Sequence, residues 1–133
     1  MILSFNVFRE KIENGTKTQT IRPYNERQFK RFCNAKKYQL YWHNPRNGGT
    51  LIKEVEPIRF IPIIQFDPVF KICVLNEDPK KLDYCPIPDI LAEKDGFKDF
   101  RELRHWFSLQ YPDDLFTKKF MVLRWKKEDD GGA

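Results

Sequence analysis

An amine, a hydroxyl and a guanidinium fall close together at Lys17, Thr20 and Arg22, within Gly15-Thr16-Lys17-Thr18-Gln19-Thr20-Ile21-Arg22. An extended chain alternates its side chains between two faces, so a strand here sends Thr18, Thr20 and Arg22 to the same side. Beside Thr20 in a partly desolvated cleft, the Lys17 amine would lose basicity and could take the hydroxyl proton, which would make Thr20 a nucleophile. Arg22 offers a planar fork of donors that suits a phosphate or a base edge. Each residue also has a plainer role: a charged loop lysine, a β-forming threonine, a strand-end arginine paired with an acid. Asp95, far along the chain before Gly96, is either an acid/base that orients Lys17 or ordinary turn chemistry. Tyr24, Tyr41 and Trp42 could stack a base or fill a core, and Tyr24 adjoins the polar stretch.

These side chains need elements to position them. Ile2–Phe5 reads as a first strand, and Asn6 as the cap of a helix over Val7–Asn14 that Gly15 stops. Thr18–Arg22 is a second strand, ended by Pro23, which has no amide proton to give. Phe29, Phe32 and Cys33 lie at helical spacing in Asn25–Ala35, leaving Arg27, Lys30 and Arg31 outside. Tyr38–His43 and Thr50–Val55 form a hairpin about Asn-Pro-Arg-Asn-Gly-Gly. Strands follow at Ile58–Phe66 and Val69–Leu75, with Pro57, Pro62 and Pro68 at edges, bulges or corners of a small curved barrel. Pro88 opens a short helix through Asp89–Lys94, terminated by Asp95-Gly96. Asp99 with Glu102 resembles a capping box, ahead of an apolar stripe of Phe100, Leu103, Phe107 and Tyr111. Lys119–Trp125 is a final buried strand, and residues 128–133 a frayed polar tail.

The length of 133 residues fits one α+β domain, without internal repeat or linker. Residues 1–53 carry 11 Lys and Arg against 3 Asp and Glu, whereas residues 54–133 carry 13 against 16. The first part is therefore the candidate surface for a polyanion, unless it is simply a solvated lysine-rich exterior. Cys33, Cys73 and Cys85 are odd in number and widely spaced, which predicts reduced thiols in the cytoplasm rather than a disulfide framework. The start, MILSFNVFREK, lacks the pattern of an export signal, and no apolar run approaches membrane-spanning length. His43 and His105 sit in separate elements without metal-ligand spacing, so neither metal nor cofactor is expected. The absence of a glycine-rich phosphate loop, a nucleophile elbow or an ordered Ser/His/Asp set argues against a nucleotide-driven motor or a serine hydrolase.

The Gly15–Arg22 stretch fits G-x-K-x-x-T/E-x-R and resembles the motif of ASCH domains, a PUA-like family. Ala92-Glu93-Lys94-Asp95-Gly96-Phe97, followed by an amphipathic helix to Tyr111-Pro112 and a closing strand, is similar to that family's C-terminal half. The resemblance spans residues 1–127 and implies a PUA-like small mixed β-barrel with a few short flanking helices, whose cleft binds RNA or a modified nucleoside. One branch comprises amidohydrolases that deacetylate N4-acetylcytidine through a Lys, a Thr and a Glu. Lys17 and Thr20 match the first two, and Asp95, one methylene shorter, falls at the third. Another branch is described as ribonucleases, for which no separate motif is present. The candidate binding residues are Lys17, Thr20 and Arg22 of the motif and the adjoining Tyr24. A protein-interaction domain, in which the motif only braces the barrel, is the third alternative.

Overall fold

The computed structural model describes residues 1–76 and 86–127, so Cys85 and the expected tail at 128–133 lie outside the described residues. In chain order the elements are β1 (Ile2–Phe5), α1 (Arg9–Glu13), β2 (Gln19–Pro23), α2 (Glu26–Cys33), β3 (Tyr38–Trp42), β4 (Thr50–Val55), β5 (Ile63–Asp67), β6 (Lys71–Val74), α3 (Pro88–Asp95), α4 (Phe100–Gln110) and β7 (Lys119–Arg124). A 3-10 turn over Pro45–Asn47 links β3 to β4. The expected α+β class holds, with two sheets. One runs β1-β3-β4, with β1 parallel to β3; the other runs β2-β7-β5-β6 and is antiparallel throughout. A single bridge, Pro57 to Trp125, stands outside the named strands, and the strand pairings among the described residues do not close into a ring.

The run Phe-Met-Val-Leu makes β7 the divider of the core, because both its faces are apolar. Phe120 and Val122 face a cluster built with Leu91, Phe100, Leu103 and Phe107 of α3 and α4. Met121 and Leu123 face a second cluster with Leu3, Ile12, Phe32, Tyr38 and Leu40. Burying an aliphatic or aromatic side chain contributes ~1.5–3 kcal/mol, so this strand ties both layers into one cooperative unit. In α2, Asn25 accepts the Gln28 amide proton as N-cap and Phe32 is buried, as the helical spacing requires. In α4 the Asp99 carboxylate accepts the Glu102 amide proton at 2.9 Å. The Asp99 cap opens α4 as the sequence predicts.

Other boundaries differ. Asn6 does not cap α1: the helix begins at Arg9, and Phe8, at φ 62, occupies the cap position in the left-handed region. Ile58–Pro62 is irregular rather than strand, because Pro57 and Pro62 lack the amide protons a ladder needs, and regular pairing starts at Ile63. Val69 and Phe70 form a turn whose amides donate to the Asp67 carboxylate, delaying β6 to Lys71. Among the described residues no helix is long and apolar enough to cross a membrane.

Candidate functional site

The chain before β2 wraps the C-terminal end of α3, and this brings together residues far apart in sequence. The last carbonyls of a helix lack intrahelical donors and attract cations. Here they are met in turn. Ala92 O accepts the Phe97 amide at 2.9 Å, Glu93 O the Gly96 amide at 3.0 Å, Lys94 O the Thr18 amide at 2.8 Å and Asp95 O the Lys17 Nζ, while Gln19 Nε2 reaches Leu91 O at 3.0 Å one turn back and Lys11 Nζ reaches Gly96 O just beyond the helix. Gly96 makes the approach possible. Its φ of 106 lies in the left-handed region, and a Cβ there would stand 2.8 Å from the Phe8 ring.

β2 then runs past this junction with Ile21 in the core and Thr20 and Arg22 on the opposite face. Arg22 Nε donates to Thr20 Oγ1 at 3.0 Å, its Nη2 donates to the Ser4 carbonyl of β1 at 2.8 Å, and its guanidinium lies 5.0 Å from the Phe5 ring centre. Lys17, Thr20, Arg22 and Asp95 all line one cavity of about 370 Å³. Its aromatic wall comes from Phe8, Phe97, Trp106 and Tyr111, while Asn6, His43 and Asn44 also contribute to the lining. Phe8 packs edge-on against Phe97 at 5.0 Å, so the inner wall is continuous. Two of the three described non-glycine residues at positive φ, Phe8 and His43, are in this lining, a concentration of backbone strain typical of ligand sites.

Lys17 and Asp95 are 2% and 4% exposed, with Lys17 Nζ 3.7 Å from Asp95 Oδ2. The shorter carboxylate thus comes within ion-pair range of the amine because both sit at the same helix terminus. Burial lowers the Lys17 pKa from its ordinary 10.5; Asp95 opposes this and the Arg22 and Lys11 charges add to it. Burial likewise raises that of Asp95, against the pull of Lys17, Gln19 and Arg22, and lowers that of Arg22. Both members of the pair are pushed toward their neutral forms. Asp95 Oδ1 and Gln19 Oε1 are buried acceptors without a hydrogen-bond donor.

The Lys17 shift has a sign that can be checked. A folded pKa below the unfolded one means that the unfolded chain binds the additional proton, so stability rises with pH up to about 10.5. Urea unfolding of the parent and of Lys17→Met between about pH 8 and about pH 10 should show the parent gaining relative to the variant. A flat or falling difference would contradict the lowered value.

Of the residues singled out by sequence, Tyr24 stands apart. Its ring packs 5.5 Å from Phe29, and it does not line the cavity. Tyr41 and Trp42 are also outside the lining, Trp42 lying beside His43 at 4.7 Å and under the Arg9 guanidinium at 5.7 Å. Lys17 and Thr20 share the cavity but exchange no hydrogen bond, since the amine is directed to Asp95. Trp106 and Phe97 are site residues that sequence reasoning missed. Trp106 follows Leu103 by three residues on α4, a spacing that places it beside the apolar stripe and reads as packing. Among the described residues no group of three His, Cys, Asp or Glu side chains could hold a metal ion. No family model, curated protein or solved structure matches this chain.

Proposed function

We propose that the cavity binds a single nucleoside, with the base against the Phe97, Trp106 and Tyr111 wall and its polar edge toward Asp95. The observation carrying this reading is the convergence of Lys17, Thr20, Arg22 and Asp95 on one cavity beside aromatic rings. The volume falls in the ~300–1,000 Å³ range of small-molecule sites. Asp95 in the lining is an acceptor suited to the N–H groups that an exocyclic amine or imine of a base supplies. The resemblance to ASCH domains supports the same ligand class and suggests that the two sheets are parts of a PUA-like barrel. The exposed Arg27, Lys30 and Arg31 of α2 could carry the backbone of an RNA that presents the base, giving a salt-dependent contribution.

Calorimetric titration with cytidine, N4-acetylcytidine and single-stranded RNA tests this reading. Saturable one-site nucleoside binding is expected, weakened by ~1–3 kcal/mol in Trp106→Ala through loss of base stacking. No binding of any nucleoside, or equal affinity in the variant, would overturn it.

A second reading, amide hydrolysis of N4-acetylcytidine, draws on one observation: Thr20 Oγ1 accepts a hydrogen bond from the Arg22 guanidinium, which would stabilise the alkoxide of a nucleophile. The Lys17 amine, lowered in pKa, would be its base. Because Lys17 is tied to Asp95 rather than to Thr20, N4-acetylcytidine should be recovered largely unchanged after incubation. Rapid release of cytidine, abolished in Thr20→Ala, would make hydrolysis the primary function.

A further inference from the structure

The charges lining the cavity do not balance. Lys17 and Arg22 are basic, and Asp95 is the only carboxylate in the lining among the described residues. Asp95 pairs with Lys17 at 3.7 Å, which leaves Arg22 with no carboxylate within 4.0 Å among the described residues. The guanidinium is nevertheless held fast, by Thr20 at its Nε and by the Ser4 carbonyl at its Nη2. Its Nη1 donates to nothing among the described residues. A further cation, Lys11, stands with its Nζ 5.1 Å from the Phe8 ring of the lining.

A fixed guanidinium whose Nη1 is free to donate is a preorganised donor for oxygen atoms that bear negative charge. We propose that an anion completes the cavity: a phosphate monoester seated on Arg22 Nη1. Combined with the nucleoside reading on which this part rests, the ligand becomes a nucleoside monophosphate. The anion site itself depends only on the Arg22 and Thr20 geometry.

The test is calorimetry with cytidine, cytidine 5′-monophosphate and inorganic phosphate on the parent, Arg22→Gln and Thr20→Val, each checked for an intact unfolding transition. The monophosphate should bind the parent at least about ten-fold more tightly than cytidine, as a charge-assisted contact provides, and salt should reduce that advantage. The advantage should shrink to within about two-fold in Arg22→Gln, and partially in Thr20→Val, which keeps the charge and the shape of the side chain but removes the acceptor that holds Arg22 Nε. Phosphate binding without cytidine binding would uphold the anion site and sink the nucleoside reading. Equal affinity of the parent for cytidine and its monophosphate would do the reverse. If neither phosphate nor the monophosphate binds at low salt, the anion site is overturned. Should Arg22→Gln fail to fold, an unaltered preference for the monophosphate in Thr20→Val would also count against it.

Discussion

Asp95→Ala should destabilise the protein by ~3–5 kcal/mol, the cost of removing one partner from a buried ion pair. Among the described residues Asp95 is the one carboxylate acting on both Lys17 and Arg22, so its loss leaves both basic groups without that partner. Alanine is a good helix former at the last residue of α3, so helix propensity does not confuse the result. Combining Asp95→Ala with Lys17→Met should recover at least half of the loss, because the amine that was left unpaired is then gone. Urea denaturation of the parent, both single variants and the double variant measures the coupling. A loss below ~1 kcal/mol in Asp95→Ala would mean that the pair is solvated or already neutral.

Gly96→Ala should have the second large effect. The left-handed backbone conformation costs an L-residue ~1–2 kcal/mol, and forcing a methyl into a packed interior adds ~1–3 kcal/mol. The added Cβ would meet Phe8 at 2.8 Å, and Phe8 is both a wall of the cavity and the start of α1. Nucleoside affinity should therefore fall with stability. Gly48→Ala is the matched control, since its φ of 81 is also left-handed but its Cβ would meet nothing within 4 Å. It should lose only the conformational part and bind normally. Equal losses in the two variants would show that the contact with Phe8 is readily relieved.

Much of the site was legible because its chemistry sits on local patterns. The alternation Thr20-Ile21-Arg22 puts hydroxyl and guanidinium on one face, and the Arg22 to Thr20 hydrogen bond follows from that placement. Asp95-Gly96 was readable as a helix end. That Lys17 and Lys11 would satisfy the carbonyls of that end was not, because nothing local says which distant segment wraps a helix terminus. Trp106 was hidden by its helical spacing, which is identical for a ring that packs and a ring that faces a ligand. Tyr24 was drawn toward the site by adjacency in sequence, yet Pro23 is the last residue of β2 and the chain then turns so that Tyr24 meets Phe29 of α2. The cap of α1 was misplaced because the left-handed Phe8 is favoured by its packing against Phe97 and by the space at Gly96, both set by residues far away in sequence.

The most direct test of a nucleoside site is a map of backbone amide chemical-shift changes on adding cytidine or its monophosphate. The largest changes should fall on Lys17, Thr20, Arg22, Asp95, Phe97 and Trp106, around the cavity that these residues line together. Changes confined to the outer face of α2 around Arg27, Lys30 and Arg31, with the cavity residues unmoved, would contradict the account.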